Sequence, residues 1–193
     1  EINITYRNRN ISVTDNAGGI KNVTESLQIG ARSADFYNSR GSRGRLGRGL
    51  KDVPILAENN SFILETIHNG EYTKLAFENS IKYSEINLNT KATKEDFESI
   101  GCDKNGGTKI SFKIKNNINK TRFENLASKL SNDFELRGIY KDRNVYLISG
   151  SKKEKLICSY DIDNYLEVFN KKIEISNYGE VDFKLYKLPK PSD

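Results

Sequence analysis

Apolar and polar side chains alternate from the first residues of the chain: Ile2, Ile4 and Tyr6, a polar turn over Arg7 to Asn10, then Ile11 and Val13. A period of two marks a half-buried strand, so this stretch predicts a hairpin with Asp15 at a strand end. From Lys21 to Gly30 the spacing becomes helical, with Ile20, Val23 and Leu27 on one side and Gly30 as a stop. Ala31 to Arg45 has no period and is rich in Ser, Arg and Gly, which predicts a mobile lid. Leu50, Val53, Ile55, Leu56 and Ala57 then predict a short buried helix with Pro54 near its first turn. Ser61 to His68 and Tyr72 to Phe77 flank Asn69-Gly70, a strong hairpin signal. Ile81, Tyr83, Ile86 and Leu88 predict another strand, Thr93 to Ile100 a short helix within a polar connection, and Gly107 to Lys115 a strand. Thr121 is placed to cap a helix whose Phe123, Leu126, Ala127 and Leu130 fall on one stripe. Phe134 to Tyr140, Val145 to Ser149, Leu156 to Tyr160, Lys171 to Ser176 and Val181 to Leu188 read as short strands, so the tail is expected to be β-rich.

Composition narrows the class. At 193 residues, 36% apolar and 30% charged, the chain suits one domain or one and a fraction with a real core, and excludes a disordered protein. The net charge of +5 is moderate, and the positive excess is local, around Arg40 to Lys51. Two cysteines, Cys102 and Cys158, are too few for a disulfide framework and lack metal-ligand spacing. The lone His68, beside a hairpin turn, reads as structural surface. Asn-x-Ser/Thr triplets such as those at Asn3, Asn10 and Asn22 are expected by chance in so Asn-rich a chain. No apolar run is long enough to span a membrane and no signal peptide is present, so a soluble, cytoplasmic protein without membrane partners is expected. The chain has no methionine and starts within a strand pattern, which predicts N-terminal truncation.

The stretch with the most chemistry is Arg40 to Asp52, where four glycines and five basic residues lead into the apolar helix pattern. Glycine lets the backbone approach a ligand closely, and a helix start leaves N–H groups unpaired, so the stretch reads as an anion cradle. It is not a Walker loop, because Gly44 and Gly49 are followed by Leu50, Lys51 and Asp52 rather than Lys and a hydroxyl. Nor is it a dinucleotide fingerprint, since Gly44, Gly47 and Gly49 run in the reverse spacing. Upstream, Asp15-Asn-Ala-Gly-Gly19 is a strand end running into a glycine turn, and downstream Gly107-Thr108 opens a strand.

These three segments, in this order, resemble the GHKL ATPases (gyrase, heat-shock chaperone, histidine kinase, MutL) and their Microrchidia-type relatives, over about Ile2 to Ile114. Asp15 and Gly19 match the family's Asp-x-Gly-x-Gly, with Ala17 where its first glycine is usual. The resemblance implies a Bergerat fold: an α+β, two-layer sandwich with a mixed, mostly antiparallel sheet, helices on one face and a β-rich tail. It implies that Asp15 accepts a hydrogen bond from the adenine amino group, that Gly19 shapes that turn and that Thr108 closes the pocket near the base. The phosphates would lie on the N–H groups of Leu46 to Leu50, with Gly44, Gly47 and Gly49 as the lid hinge and Arg45, Arg48 or Lys51 supplying charge. ATP and Mg2+ are the implied ligands. The family's catalytic Glu and its magnesium-binding Asn belong to a helix before the first strand, so this chain alone is expected to be inactive in ATP hydrolysis. Residues 1–118 are expected to form the ATP-binding domain and 119–193 a helix plus β-rich segment, the start of a transducer-like domain. Homodimerisation through the N-terminus and a DNA or protein client are implied partners. Two alternatives stay open: a nucleic-acid-binding module using the Arg/Gly loop, and a histidine-kinase-type domain, which the long tail disfavours.

Overall fold

The computed structural model describes residues 1–26, 49–79, 82–115, 125–133, 136–158, 166–176 and 179–187. The expected lid over Ala31 to Arg45, the end of the first helix at Leu27 to Gly30, Ile81, and the Thr121 cap with Phe123 lie outside those residues.

The fold is α+β. β1 (Ile2–Arg7), β2 (Asn10–Asp15), β3 (Phe62–His68), β4 (Glu71–Phe77), β5 (Tyr83–Lys91), β6 (Gly107–Lys113), β7 (Val145–Ser149) and β8 (Lys152–Leu156) build one eight-stranded sheet in the order β5-β4-β3-β6-β2-β1-β7-β8. Every neighbouring pair is antiparallel except β1 with β7. β3 and β4 meet at Asn69 and Gly70, whose φ values of 51° and 79° are those of the tight turn that Asn-Gly favours. β9 (Leu166–Ile175) and β10 (Gly179–Lys187) form a separate antiparallel ribbon.

Register decides what shares a face. Phe62, Leu64 and Thr66 stand opposite Phe77, Leu75 and Thr73, and Leu64 and Thr66 stand opposite Ile110 and Thr108 of β6. Ile110 and Thr108 in turn face Val13 and Asp15 of β2, which face Ile4 and Ile2 of β1. This face is covered by helices. Val23 of α1 (Val23–Ser26) and Val53 of α2 (Gly49–Leu56) pack with Phe62, Leu64, Leu75 and Phe77. Ala127 of α4 (Leu126–Ser131) and Ile139 of α5 (Arg137–Asp142) pack with Ile2, Ile4, Val145, Leu147 and Leu156.

The opposite face is more polar. Glu65 is buried there between the Tyr72 hydroxyl at 2.7 Å and the ammonium groups of Lys109 and Lys74 at 3.4 and 3.5 Å. One helix, α3 (Lys94–Ile100), crosses this side and sets Ile100 and Phe97 on Ile67 and Tyr72.

Four expectations are corrected. Pro54 lies in the second turn of α2, and Ile55 and Leu56 are 65% and 62% exposed, whereas Val53, Pro54 and the following Ala57 face inward, so the end of that helix is buried on one side, not all round. Of the strand expected over Phe134 to Tyr140, Arg137 to Tyr140 lie in α5 (Arg137–Asp142), and residues 134–135 lie outside the described residues. Of the strand expected over Leu156 to Tyr160, Leu156 ends β8 (Lys152–Leu156), which the Gly150 turn pairs back on β7, Ile157 and Cys158 lie past its end, and residues 159–160 lie outside the described residues. His68 is not surface; it is half-buried and bonded to the glycine turn.

Candidate functional site

β2 ends at Asp15, directly opposite Thr108, and the chain then turns through Asn16 to Gly19. Asp15 Oδ1 accepts from the Ala17 N–H at 2.9 Å, the local turn an Asp before glycines commonly makes. No hydrogen bond to Oδ2 occurs among the described residues, so the carboxylate keeps an acceptor for a ligand. Burial raises the Asp15 pKa above the ordinary carboxylate range, with the Ala17 N–H pulling the other way.

The turn is pressed onto the end of β3. The Ile20 N–H donates to Thr66 Oγ at 2.9 Å, and Thr66 Oγ lies 3.1 Å from the Gly107 carbonyl and 3.3 Å from Thr108 Oγ. Gly18 N–H donates to Gly106 O at 3.4 Å, and His68 Nδ1 lies 2.7 Å from Gly18 O. Gly19 has φ +72°, and a Cβ there would fall 1.9 Å from Ile67 O. Gly106, at φ +87°, meets the same carbonyl, where a Cβ would fall 2.1 Å away. At Gly107 a Cβ would stand 2.2 Å from Asp15 O. Three backbones therefore touch where only glycine fits. Cys102 packs beside them, and burial together with the nearby carboxylates of Asp103 and Asp15 holds its thiol protonated.

Of the sequence-derived site residues, Asp15, Gly19 and Thr108 come together at this turn. Gly44, Arg45, Leu46, Gly47 and Arg48 lie outside the described residues. Gly49, Leu50 and Lys51 form the first turn of α2, where backbone N–H groups have no intrahelical partner. α2 and the turn flank one apolar cluster, since Val53 and Ile20 both pack against it. Sequence reasoning missed Thr66, His68 and Gly106. Their signal was indirect: the Asn69-Gly70 turn sets the β3–β4 register, and alternation from there puts Thr66 and His68 on one face.

Chemically, the arrangement offers a carboxylate acceptor, two neighbouring hydroxyls and a glycine-lined approach, which suits a planar ligand carrying an N–H donor. Among the described residues no three His, Cys, Asp or Glu side chains group to hold a metal ion. Among them too, no helix is long and apolar enough to cross a membrane.

No protein-family model and no curated protein matches the chain. Among solved structures it is similar to the topoisomerase IV ATP-binding domain of Francisella tularensis, in complex with a small-molecule inhibitor. That match has a TM-score of 0.44 and 16% identity, covering 81% of this chain and 74% of the other. Likeness at that level assigns no residue a role.

Proposed function

We propose that this chain binds ATP as the nucleotide-binding part of a GHKL-type ATPase, of the Microrchidia- or MutL-like branch, and that the nucleotide works as a conformational switch. The observation that carries the reading is the pairing of Asp15 with Thr108 beside a turn whose Gly19 leaves no room for a Cβ. Asp15 Oδ2 accepts from the adenine amino group, Thr108 lies beside the base, and Gly19 lets the turn close on β3. Gly44 to Lys51 hold the phosphates through backbone N–H groups and the Arg45, Arg48 and Lys51 charges. Mg2+ would neutralise phosphate charge when bound; among the described residues no three His, Cys, Asp or Glu side chains group to hold it. Residues 1–118 carry the pocket, β7 and β8 complete its sheet, and the chain beyond them leads into a second, transducer-like unit. Homodimer formation and a DNA or protein client are further parts of this reading.

The test is a titration of the chain with ATP, GTP and single-stranded RNA at two salt concentrations. Weak, adenine-selective binding without turnover is expected. Gly47→Ala with Gly49→Ala should abolish it, because the phosphate contacts are backbone contacts. Arg43→Ala should cost no more than about 1 kcal/mol, the scale of an exposed ionic contact. The reverse ranking, with RNA binding that falls steeply with salt, would replace the nucleotide pocket by a nucleic-acid surface.

A further inference from the structure

We infer that His68 is a positioning residue for the glycine turn, setting the direction in which the Gly19 N–H points; this rests on the nucleotide-binding reading above.

The carbonyl of Gly18 and the N–H of Gly19 belong to one planar trans peptide, so they point in opposite directions. Whatever holds the carbonyl aims the N–H. A carbonyl can only accept, so the 2.7 Å contact requires the proton on His68 Nδ1. Gly18 and Gly19 both have positive φ, at 91° and 72°, and glycine crosses between backbone regions at little steric cost. The peptide between them is therefore the easiest in the turn to flip. The other bond on Gly18, from its N–H to Gly106 O, is long at 3.4 Å and lies on the preceding peptide, so it does not stop the flip. Thr66 holds Ile20, beyond the peptide in question.

With the flip blocked, the Gly19 N–H, which makes no hydrogen bond among the described residues, stays directed away from His68. It is then a fixed donor for a ligand held at Asp15. His68 reaches Gly18 because it sits two residues after Thr66 on the same face of β3. Its role passes through the turn and involves no contact with the nucleotide.

The experiment compares the wild-type chain with His68→Phe, which keeps a ring but has no donor, and with His68→Asn, whose amide N–H replaces Nδ1–H. The probe is a non-hydrolysable ATP analogue, and the Gly18 and Gly19 amide resonances are followed with and without it. We expect His68→Phe to bind roughly three- to tenfold more weakly, the range for loss of one hydrogen bond, and His68→Asn to recover to within about twofold. Without nucleotide, the Gly19 amide should shift and broaden in His68→Phe and return in His68→Asn. Equal affinity in wild type and His68→Phe overturns the inference. Absence of binding by the wild type sinks the nucleotide reading instead; the ligand-free arm then decides, and an unchanged Gly19 resonance in His68→Phe overturns the positioning role. If His68→Phe does not fold, His68→Ala takes its place against His68→Asn.

Discussion

Burial raises the pKa of Asp15, so the folded protein holds that proton more tightly than the unfolded chain does. The sign follows: at neutral pH the ionised carboxylate destabilises the fold, and the penalty is relieved as pH falls through the folded pKa towards the unfolded one. Asp15→Asn keeps an oxygen for the Ala17 N–H and removes the charge. We expect it to raise the melting temperature at neutral pH, with the gap closing in acid, while removing adenine-nucleotide binding. A melting series against pH, alongside an ATP titration, checks both halves. Thr66 is the counterpart held for structure. Thr66→Val keeps the shape but strands the Ile20 N–H and removes the bond to the Gly107 carbonyl, and should cost about 1–3 kcal/mol in urea unfolding. Asp15, Gly19 and Thr108 were legible as motif residues; Thr66 was not, because a threonine within a strand carries no local mark of what it bonds.

At the scale of elements, local chemistry wrote some boundaries plainly. Thr93 Oγ accepts from the Asp96 N–H at 3.2 Å, Asp96 returns the bond to the Thr93 N–H at 2.8 Å, and Gly101 ends α3 at φ 74°. Seven residues cannot hold a helix in water, so α3 also depends on Ile100, which is fully buried. Thr93→Ala should cost about 1 kcal/mol by denaturant midpoint. Ile100→Ala should cost more, about 2–5 kcal/mol, because it removes the contact that docks the helix. α5 shows the limit of pattern. Phe134, Leu136 and Tyr140 fit a period of two, while Leu136, Ile139 and Tyr140 fit a helix equally well. Packing of Ile139 and Tyr140 on the Ala127 cluster, with the Tyr140 hydroxyl donating to Leu130 O at 2.8 Å, selects the helix. β8 was displaced for a related reason: its Lys-Lys-Glu-Lys run has no apolar alternation, as befits an edge strand.

Across the whole molecule, the sheet does not stop at residue 118. β7 pairs parallel with β1, and Ile2 and Ile4 pack with Val145, Leu147 and Leu156. A protein ending at Ile118 should therefore expose those side chains and aggregate or unfold at lower denaturant than the full chain. Size-exclusion chromatography and urea unfolding of the two would show it, and equal behaviour would count against the shared core. The polar face contributes the acid limb of stability. Burial pushes the Glu65 carboxyl up, but the Tyr72 hydroxyl and the Lys109 and Lys74 charges outweigh it, leaving its pKa below the ordinary value. A lowered folded pKa means stability present above the unfolded value and lost as pH falls through the folded one. Glu65→Gln should thus cost roughly 1–3 kcal/mol at neutral pH and progressively less in acid.

By itself the sequence determined the Asn69-Gly70 hairpin, the Thr93 cap and the alternation that makes β1 to β4 two-sided. Each depends on residues within a few positions of one another, where backbone sterics and local hydrogen bonds act. The tertiary structure alone decided that β6 lies between β3 and β2, which sets Thr108 between Thr66 and Asp15, and that β7 returns beside β1. Pairings between distant segments are chosen by which apolar faces can be buried together, and no local pattern records that choice.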